Sequence, residues 1–200
     1  YMFPLFESIR IENGKIFLTE FHQKRINKTF DKFYKKENPW ELKQIFSQIN
    51  VPQNGLYKMK FNYSEKKYKI EFKKYLLKKI AKIKCYEIND FTYTFKLSDR
   101  TKIEYFYTKK LDCQDILMIK NGYLTDTSYC NIILFDGFSW FTPEKPLLKG
   151  VQREKLLVSK MISKTKIKLN EINDFKQFKL INAMIKFEDY LPQNVSNIIF

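Results

Sequence analysis

The sequence predicts an α+β protein with two domains, and three observations support this. The chain has 200 residues, of which 44% are hydrophobic and 17% aromatic, so it can bury a sizeable core. Alternating apolar positions and Asn-Gly turns predict strands, while helical spacing predicts helices between them. A lysine-rich stretch, residues 73–84, is either a linker or a strand that crosses between the halves. We expect a small N-terminal domain over residues 1–77 and a larger strand-rich domain over residues 78–200.

The first half alternates hairpins with helices. Residues 5–18 are predicted to form a hairpin, because an Asn-Gly pair at 13–14 is a strong turn signal. Apolar residues at helical spacing predict a helix over residues 19–36, and His22 and Arg25, three residues apart, are expected to share one face of it. Asn38 has the character of an N-cap for a second helix. Alternation predicts another hairpin over residues 57–72.

The second half is predicted to be rich in strands. Apolar runs at residues 115–119 and 131–135 each lead into a turn, and residues 138–141 return as a further strand. A helix is expected over residues 152–164, and a late strand over residues 178–187. The order of the elements favours two α+β halves.

The charge of the chain is strongly positive, with 37 Lys and Arg residues against 22 Asp and Glu and a net charge of +15. The basic residues are mostly lysines scattered in short runs, which favours a solvated surface over a nucleic-acid-binding patch. We therefore expect no nucleic-acid partner. Each of the four arginines indicates a place where planar, forked geometry is useful.

Cysteine and histidine usage argues against a metal site. Cys85, Cys113 and Cys130 are widely spaced and the chain has one His, which predicts free thiols in a reducing compartment and no bound metal. Residues 1–7 lack a basic region followed by an apolar run, so we expect no signal peptide. No segment approaches the ~20 apolar residues of a membrane span. The expected location is the cytoplasm, without a membrane partner.

Lys96 is the candidate for amine chemistry. A lysine attacks a carbonyl group only when it is uncharged, and burial or a neighbouring cation can lower its pKa from about 10.4. The aromatic residues that flank Lys96 allow such burial. The alternative is an ordinary solvated lysine.

Asp126 is the candidate carboxylate, placed after an Asn-Gly turn at residues 121–122. A carboxylate paired with the ring nitrogen of pyridoxal 5′-phosphate (PLP) keeps that nitrogen protonated, so the ring can accept electrons from a substrate. The alternative is a polar loop or helix cap over residues 125–128.

A phosphate cradle is predicted at residues 150–152, where a loop meets a helix. Helix starts expose N–H groups and a positive dipole end, and Gly150 allows close approach of the backbone. Arg25 can add a bidentate contact, unless it is a surface arginine. An amine, a carboxylate, a backbone cradle and an arginine are together the parts that hold PLP.

Taken in order, these pieces resemble the fold type IV PLP enzymes, which include branched-chain aminotransferase, D-amino acid transaminase and 4-amino-4-deoxychorismate lyase. The resemblance extends from residues 6–10 to residues 182–184 and is strongest over residues 121–132 and 147–153. It implies the two-domain fold of those enzymes, PLP as cofactor, a small-molecule amino substrate and a homodimer.

The resemblance also implies a role for each candidate residue. Lys96, in the second domain, is expected to be the catalytic Schiff-base lysine. Asp126 is expected to be the second catalytic group, at a position where the family usually has Glu. Arg25, in a His-x-x-Arg pattern, is expected to bind phosphate. Further cofactor contacts are expected from Val151, Gln152, Asn182 and Ala183.

Two features resemble the lyase branch of the family: Arg100 lies four residues after Lys96, and residues 182–184 read Asn-Ala-Met. The expected reaction is therefore that of 4-amino-4-deoxychorismate lyase, which releases pyruvate and forms 4-aminobenzoate for folate synthesis. Arg10 is either a clamp for a substrate carboxylate or an outward strand residue. A class IV aminotransferase acting on branched-chain or D-amino acids stays open, as does a non-catalytic basic nucleic-acid-binding module.

Overall fold

A computed structural model describes residues 2–200. These residues form two compact units. The first contains the described residues up to Leu77 together with Phe95–Asp99, and the second contains Lys78–Thr94 and Arg100–Phe200. Both units mix helices and strands, which confirms the predicted α+β class. Tyr1 lies outside the described residues. It belongs to residues 1–7, for which we expect no signal peptide.

The first unit is built on an antiparallel sheet against which helices pack. Its strands are β1 (Leu5–Glu12), β2 (Lys15–Ile16), β3 (Leu56–Tyr63) and β4 (Tyr68–Lys74), in the spatial order β2-β1-β3-β4. Its helices are α1 (Thr19–Thr29), which continues into a π-helical turn (Phe30–Tyr34), and α2 (Leu42–Ser47).

Both predicted hairpins are confirmed. In the first, Asn13 and Gly14 have φ angles of 48° and 76°, the left-handed backbone that a tight two-residue hairpin turn requires. In the second hairpin β3 pairs with β4, from Tyr57 opposite Lys74 to Tyr63 opposite Tyr68. Local turn chemistry therefore determines the register of this sheet.

Helix α2 begins later than predicted, at Leu42 and not near Asn38. The side chain of Asn38 accepts a hydrogen bond from the backbone N–H of Trp40 at 3.0 Å, so it forms a local turn. The Gln23 side chain accepts from the Leu42 N–H at 2.7 Å. The start of this helix is thus fixed both by the distant Gln23 and by Glu41, whose side chain accepts from the Lys43 N–H at 3.3 Å.

The segment Phe95–Asp99 groups with the first unit, whereas a single boundary after residue 77 placed Lys96 in the second. Leu97 forms an isolated antiparallel bridge with Leu5, and the Phe6 N–H donates to the Lys96 carbonyl at 3.1 Å. The segment therefore extends the free edge of β1, which explains the correction.

The second unit is built on a larger mixed sheet. Its strands are β5 (Ile83–Glu87), β6 (Asp115–Lys120), β7 (Tyr123–Thr127), β8 (Asn131–Phe135), β9 (Trp140–Pro143), β10 (Ser163–Thr165), β11 (Gln177–Ile181), β12 (Gln193–Asn194) and β13 (Ile198–Ile199). Its helices are α3 (Thr101–Tyr107) and α4 (Val151–Val158), with short 3₁₀ turns at Thr108–Lys110, Leu169–Asp174 and Val195–Asn197. The main order is β10-β9-β8-β7-β6-β5-β13, with β11 also paired to β8.

Two elements of this unit are shorter than predicted. Helix α4 ends at Val158, because Lys160 takes a left-handed φ of 58° and the following Ser163–Thr165 pairs with β9. The late strand β11 ends at Ile181, since Asn182 bridges to Ile185 and turns the chain. Across residues 2–200, no helix combines the length and apolar composition that crossing a membrane requires.

Candidate active site

The predicted residues fall into two sets. The first unit contains Arg10, Arg25 and Lys96. The second unit contains Asp126, Val151, Gln152, Asn182 and Ala183.

In the first unit, Arg25 is held by a buried carboxylate, Glu7, which is not among the predicted site residues. Glu7 is fully buried on β1 and accepts from Arg25 Nε at 2.9 Å and also from Arg25 Nη2. It also bonds to His22 Nδ1 at 2.6 Å. The predicted common face of His22 and Arg25 on α1 is therefore confirmed, and both residues serve one carboxylate. The alternation of side chains along β1 could have revealed this burial. Glu7 lies two residues from each of the core residues Leu5 and Ile9, so its side chain points to the same face of the sheet.

The charges of this triad follow from its burial. Burial alone would raise the pKa of Glu7, but Arg25 and His22 outweigh it and lower that pKa to about 2. Burial lowers the pKa of His22, against the opposing effect of Glu7. The neutral imidazole therefore donates from Nδ1 to an ionised carboxylate. Arg25 keeps 13% of its side chain exposed, so part of it stays accessible to a ligand.

Replacing Glu7 with glutamine should destabilise the protein by about 3–5 kcal/mol at neutral pH, because it leaves the mostly buried guanidinium of Arg25 without its counter-charge. A carboxyl whose folded pKa lies near 2, below its ordinary 4.5, contributes stability above pH 4.5 that is lost as pH falls toward 2. The difference between wild type and Glu7→Gln should therefore shrink over that range in urea unfolding. Glu20→Gln, at an exposed ion pair with Lys43, is the matched control and should change little. Equal stabilities of wild type and Glu7→Gln would contradict this account.

Lys96 is half-buried beside β1. Its Nζ lies 4.7 Å from the centroid of the Phe6 ring, and its charge helps lower the pKa of His22. The main-chain bond between Phe6 and Lys96 fixes the backbone from which the side chain projects. Lys96, His22 and Arg25 therefore lie within electrostatic reach of one another.

Arg10, the candidate substrate clamp, is 2% exposed on β1. Its Nη2 donates to Glu12 at 3.0 Å, and its guanidinium lies 6.0 Å from the Phe17 ring centroid. The side chain is thus buried rather than outward, and its role toward a substrate stays a prediction.

In the second unit, Asp126 joins strand β7 to the loop before α4. Its Oδ1 accepts from Asn131 Nδ2 at 2.7 Å, and its Oδ2 accepts from the Leu148 N–H at 2.8 Å. Burial raises the pKa of Asp126 to about 6, although these bonds and the charge of Arg153 act to lower it. An additional cationic or N–H partner would favour its ionised form.

The predicted phosphate cradle is a tightly packed loop followed by a helix. Val151 and Gln152 lie in the first turn of α4, and Gly150 precedes it. A Cβ on Gly150 would lie 2.0 Å from Asn131 Oδ1, so only glycine allows this approach of loop and strand. Asn131 also donates to the Leu148 carbonyl at 2.9 Å. Asn131 was missed as a residue that positions both the acid and the loop.

Asn182 organises the turn after β11. Its Oδ1 accepts from the N–H groups of Met184 and Ile185 at 2.8 and 3.0 Å, and its Nδ2 donates to the Cys130 thiol at 3.2 Å. Burial raises the pKa of Cys130 to about 12, so this thiol is neutral and accepts the bond. The turn containing Asn182 and Ala183 is thereby fixed against the β7–β8 connection.

Arg100 holds the same connection from another side. Its Nη2 donates to the Ser128 carbonyl at 2.6 Å, and its guanidinium lies 4.5 Å from the Tyr129 ring centroid. Arg100 therefore positions the segment after Asp126.

The donor set fits PLP chemically. The first unit offers a primary amine and a partly exposed guanidinium. The second offers a carboxyl group whose burial favours a cationic partner, and N–H groups at the start of α4, where an anion is favoured. An amine, an acid and two phosphate-binding groups are what the cofactor requires.

Two sequence comparisons find relatives over nearly the whole chain. The profile of the family described as amino-transferase class IV matches residues 4–187. An uncharacterized protein of Haemophilus influenzae is 37% identical over 186 residues, which make up 92% of this chain and 98% of that protein. Both matches span the two units.

Solved structures give the same result. A candidate 4-amino-4-deoxychorismate lyase from Haemophilus somnus 129pt has a TM-score of 0.89 and 33% identity, covering 94% of this chain and 99% of that chain. A PLP-bound hypothetical aminotransferase from Mycobacterium tuberculosis has a TM-score of 0.76 at 12% identity, covering 98% and 81%. At that identity the second likeness shows the fold alone.

Proposed function

This chain belongs to the class IV aminotransferase family of PLP-dependent enzymes, and from that premise we propose that it is a 4-amino-4-deoxychorismate lyase of folate biosynthesis. The observation that carries the proposal is the 33% identity, across 94% of the chain, to the Haemophilus somnus protein named as a candidate for that activity. The lyase-like spacing of Lys96 and Arg100 supports it.

The reaction begins with the removal of one proton. The C–H bond at the amine-bearing carbon breaks, the adjacent C–O bond breaks, and enolpyruvate leaves and takes up a proton to become pyruvate. The ring that remains is 4-aminobenzoate, and no oxidant or reductant is consumed. When bound, PLP supplies an electron-accepting ring for the carbon that loses the proton.

The residues of the chain take separate roles in this proposal. Lys96 is the residue that would hold the cofactor covalently, and its Nζ would move the substrate proton. Asp126 would keep the ring nitrogen of the cofactor protonated, and Asn131 and Leu148 orient its carboxyl group. Arg25, oriented by Glu7, binds the phosphate. The N–H groups of Val151 and Gln152 contribute to phosphate binding, and Asn182 and Ala183 are further proposed cofactor contacts.

An aminotransferase acting on branched-chain or D-amino acids is the second candidate, and the name of the family favours it. The two reactions share the first proton removal and differ in the next step. An aminotransferase returns a proton and releases a keto acid, whereas the lyase breaks the C–O bond.

The test uses the purified protein loaded with PLP. Pyruvate and 4-aminobenzoate should appear in equal amounts from 4-amino-4-deoxychorismate, with pyruvate read by coupled NADH oxidation and 4-aminobenzoate by fluorescence. In parallel, branched-chain and D-amino acids are supplied with keto-acid acceptors. Amino transfer without pyruvate release would replace the lyase proposal with the aminotransferase.

Two further proposals come with the family resemblance. We propose a homodimer, which light scattering coupled to size exclusion tests directly. We also propose the cytoplasm as the site of action, consistent with three cysteines that are all free thiols in the structure.

Replacing Arg25 with alanine should weaken PLP retention by roughly 10- to 100-fold, as expected for loss of a charged hydrogen-bonding group, and should alter turnover less once PLP is saturating. Retention is measured by dialysis followed by cofactor absorbance. Because Arg25→Ala also leaves Glu7 buried without its main cation, Arg25→Met with Glu7→Gln serves as a charge-balanced second variant. Unchanged retention in both variants would remove Arg25 from the phosphate site.

A further inference from the structure

One face of the N-terminal sheet is unusually cationic. Backbone register places Arg10 opposite Lys58, and Lys58 opposite Lys73. Lys60 lies opposite Ser8 on the same face, because directly paired residues of antiparallel strands share a side. The helices α1 and α2 pack on the other face, against the core residues that alternate with these. The cationic face is therefore not part of the hydrophobic core.

Lys60 and Lys96 converge on one aromatic ring on this face. Their Nζ atoms lie 5.1 and 4.7 Å from the centroid of Phe6. Because both distances are measured to the centroid of the Phe6 ring, their sum is an upper limit on the separation of the two Nζ atoms. An aromatic face attracts cations, so Phe6 is a shared contact of Lys60 and of the proposed catalytic lysine.

The carboxylates that share this face have several other partners. Glu12 accepts from Arg10 at 3.0 Å. Glu71 lies directly opposite Lys60, but it also accepts from Asn62 at 2.9 Å and pairs with Lys69 at 2.9 Å, so Lys60 shares this carboxylate with two other side chains. Burial lowers the pKa of Lys58, and the neighbouring charges of Lys73 and Lys60 lower it further. Positive charge is thus in excess here, and an anionic ligand would balance it.

We propose that Lys60 binds a substrate carboxylate and selects amino substrates that have a carboxylate across a six-membered ring from the reacting amine. This inference rests on the proposed function, since 4-amino-4-deoxychorismate has such a carboxylate and 4-aminobenzoate keeps it. Lys60 is a specificity residue that leaves the chemistry itself to Lys96.

The kinetic test compares Lys60→Gln, Lys60→Arg and Lys109→Gln with wild type in the pyruvate-release assay. Lys109 is an exposed lysine whose Nζ lies 4.7 Å from the Tyr105 ring centroid. It therefore makes a similar contact with an aromatic ring outside the cationic face and serves as the control. Lys60→Gln should raise KM by roughly 10- to 100-fold with kcat changed much less. Lys60→Arg keeps the positive charge and should have a KM near that of wild type. Lys109→Gln should have the same KM as wild type. A wild-type KM in Lys60→Gln would overturn the proposal.

A binding test separates this inference from the proposed function. Titration calorimetry measures the affinity of the PLP-loaded protein for 4-aminobenzoate and for aniline, which lacks the carboxylate. Wild type and Lys109→Gln should bind 4-aminobenzoate more tightly than aniline. In Lys60→Gln the ratio of the two affinities should fall by the same factor by which KM rises. If wild type releases no pyruvate, the lyase proposal fails while this comparison still decides the role of Lys60. Equal preference in wild type and Lys60→Gln overturns that role.

Discussion

Replacing Lys96 with alanine should abolish covalent attachment of PLP and reduce turnover by at least about 10,000-fold, the upper range for removing a positioned acid–base group. The variant should still fold, because the Phe6 N–H bonds to the Lys96 carbonyl and not to its side chain. Covalent attachment is measured by borohydride reduction followed by peptide mass spectrometry, which should find the cofactor on Lys96 of wild type.

Two controls make the assignment specific. Lys96→Arg keeps a cation near the Phe6 ring but cannot form the covalent bond, so it should resemble Lys96→Ala in both readouts. Lys109→Ala removes a lysine with the same 4.7 Å distance to an aromatic ring and should behave as wild type. A borohydride-stable label that persists in Lys96→Ala would place the covalent lysine elsewhere.

Local signals in the sequence were sufficient for much of the first unit. The Asn13-Gly14 pair predicted the first hairpin because few residue pairs tolerate two consecutive positive φ angles. Helical spacing predicted that His22 and Arg25 share a face, and both contact Glu7. Such features depend on a few neighbouring residues, so the sequence alone contains them.

Long-range pairing limited the rest. The bridge between Leu5 and Leu97 moves Lys96 into the first unit, and no local pattern encodes a partner so distant along the chain. Glu7 was overlooked because a carboxylate within a strand suggests a solvent-facing position. Its burial becomes favourable only when α1 supplies His22 and Arg25.

The same limit applies to the acid. The sequence identified Asp126 as a carboxylate but gave no sign that the Leu148 N–H and Asn131 would hold it. Nor could it show that Gly150 is required by contact with Asn131, since that requirement arises from packing between a loop and a strand. A motif can therefore name the reacting group while the residues that orient it emerge only from the fold.

Replacing Asp126 with alanine should lower turnover by roughly 100- to 1,000-fold, the effect of removing one electrostatic stabiliser from an active site. PLP occupancy should fall far less, because Lys96 and the phosphate contacts are proposed to hold the cofactor. Turnover is measured as pyruvate release at saturating PLP, and occupancy by cofactor absorbance after dialysis. Equal losses in the two quantities would argue against a role at the ring nitrogen.

Asp126 has a second effect that the experiment must separate, because its carboxylate also fixes the loop before α4 through Leu148. Asn131→Ala is the matched variant: it removes bonds to both Asp126 and the Leu148 carbonyl, loosening the same loop while keeping the carboxylate. If Asp126 acts on the ring nitrogen, Asn131→Ala should lose PLP affinity and retain most turnover at saturating PLP. Matching profiles for Asp126→Ala and Asn131→Ala would reduce Asp126 to a structural support of the phosphate loop.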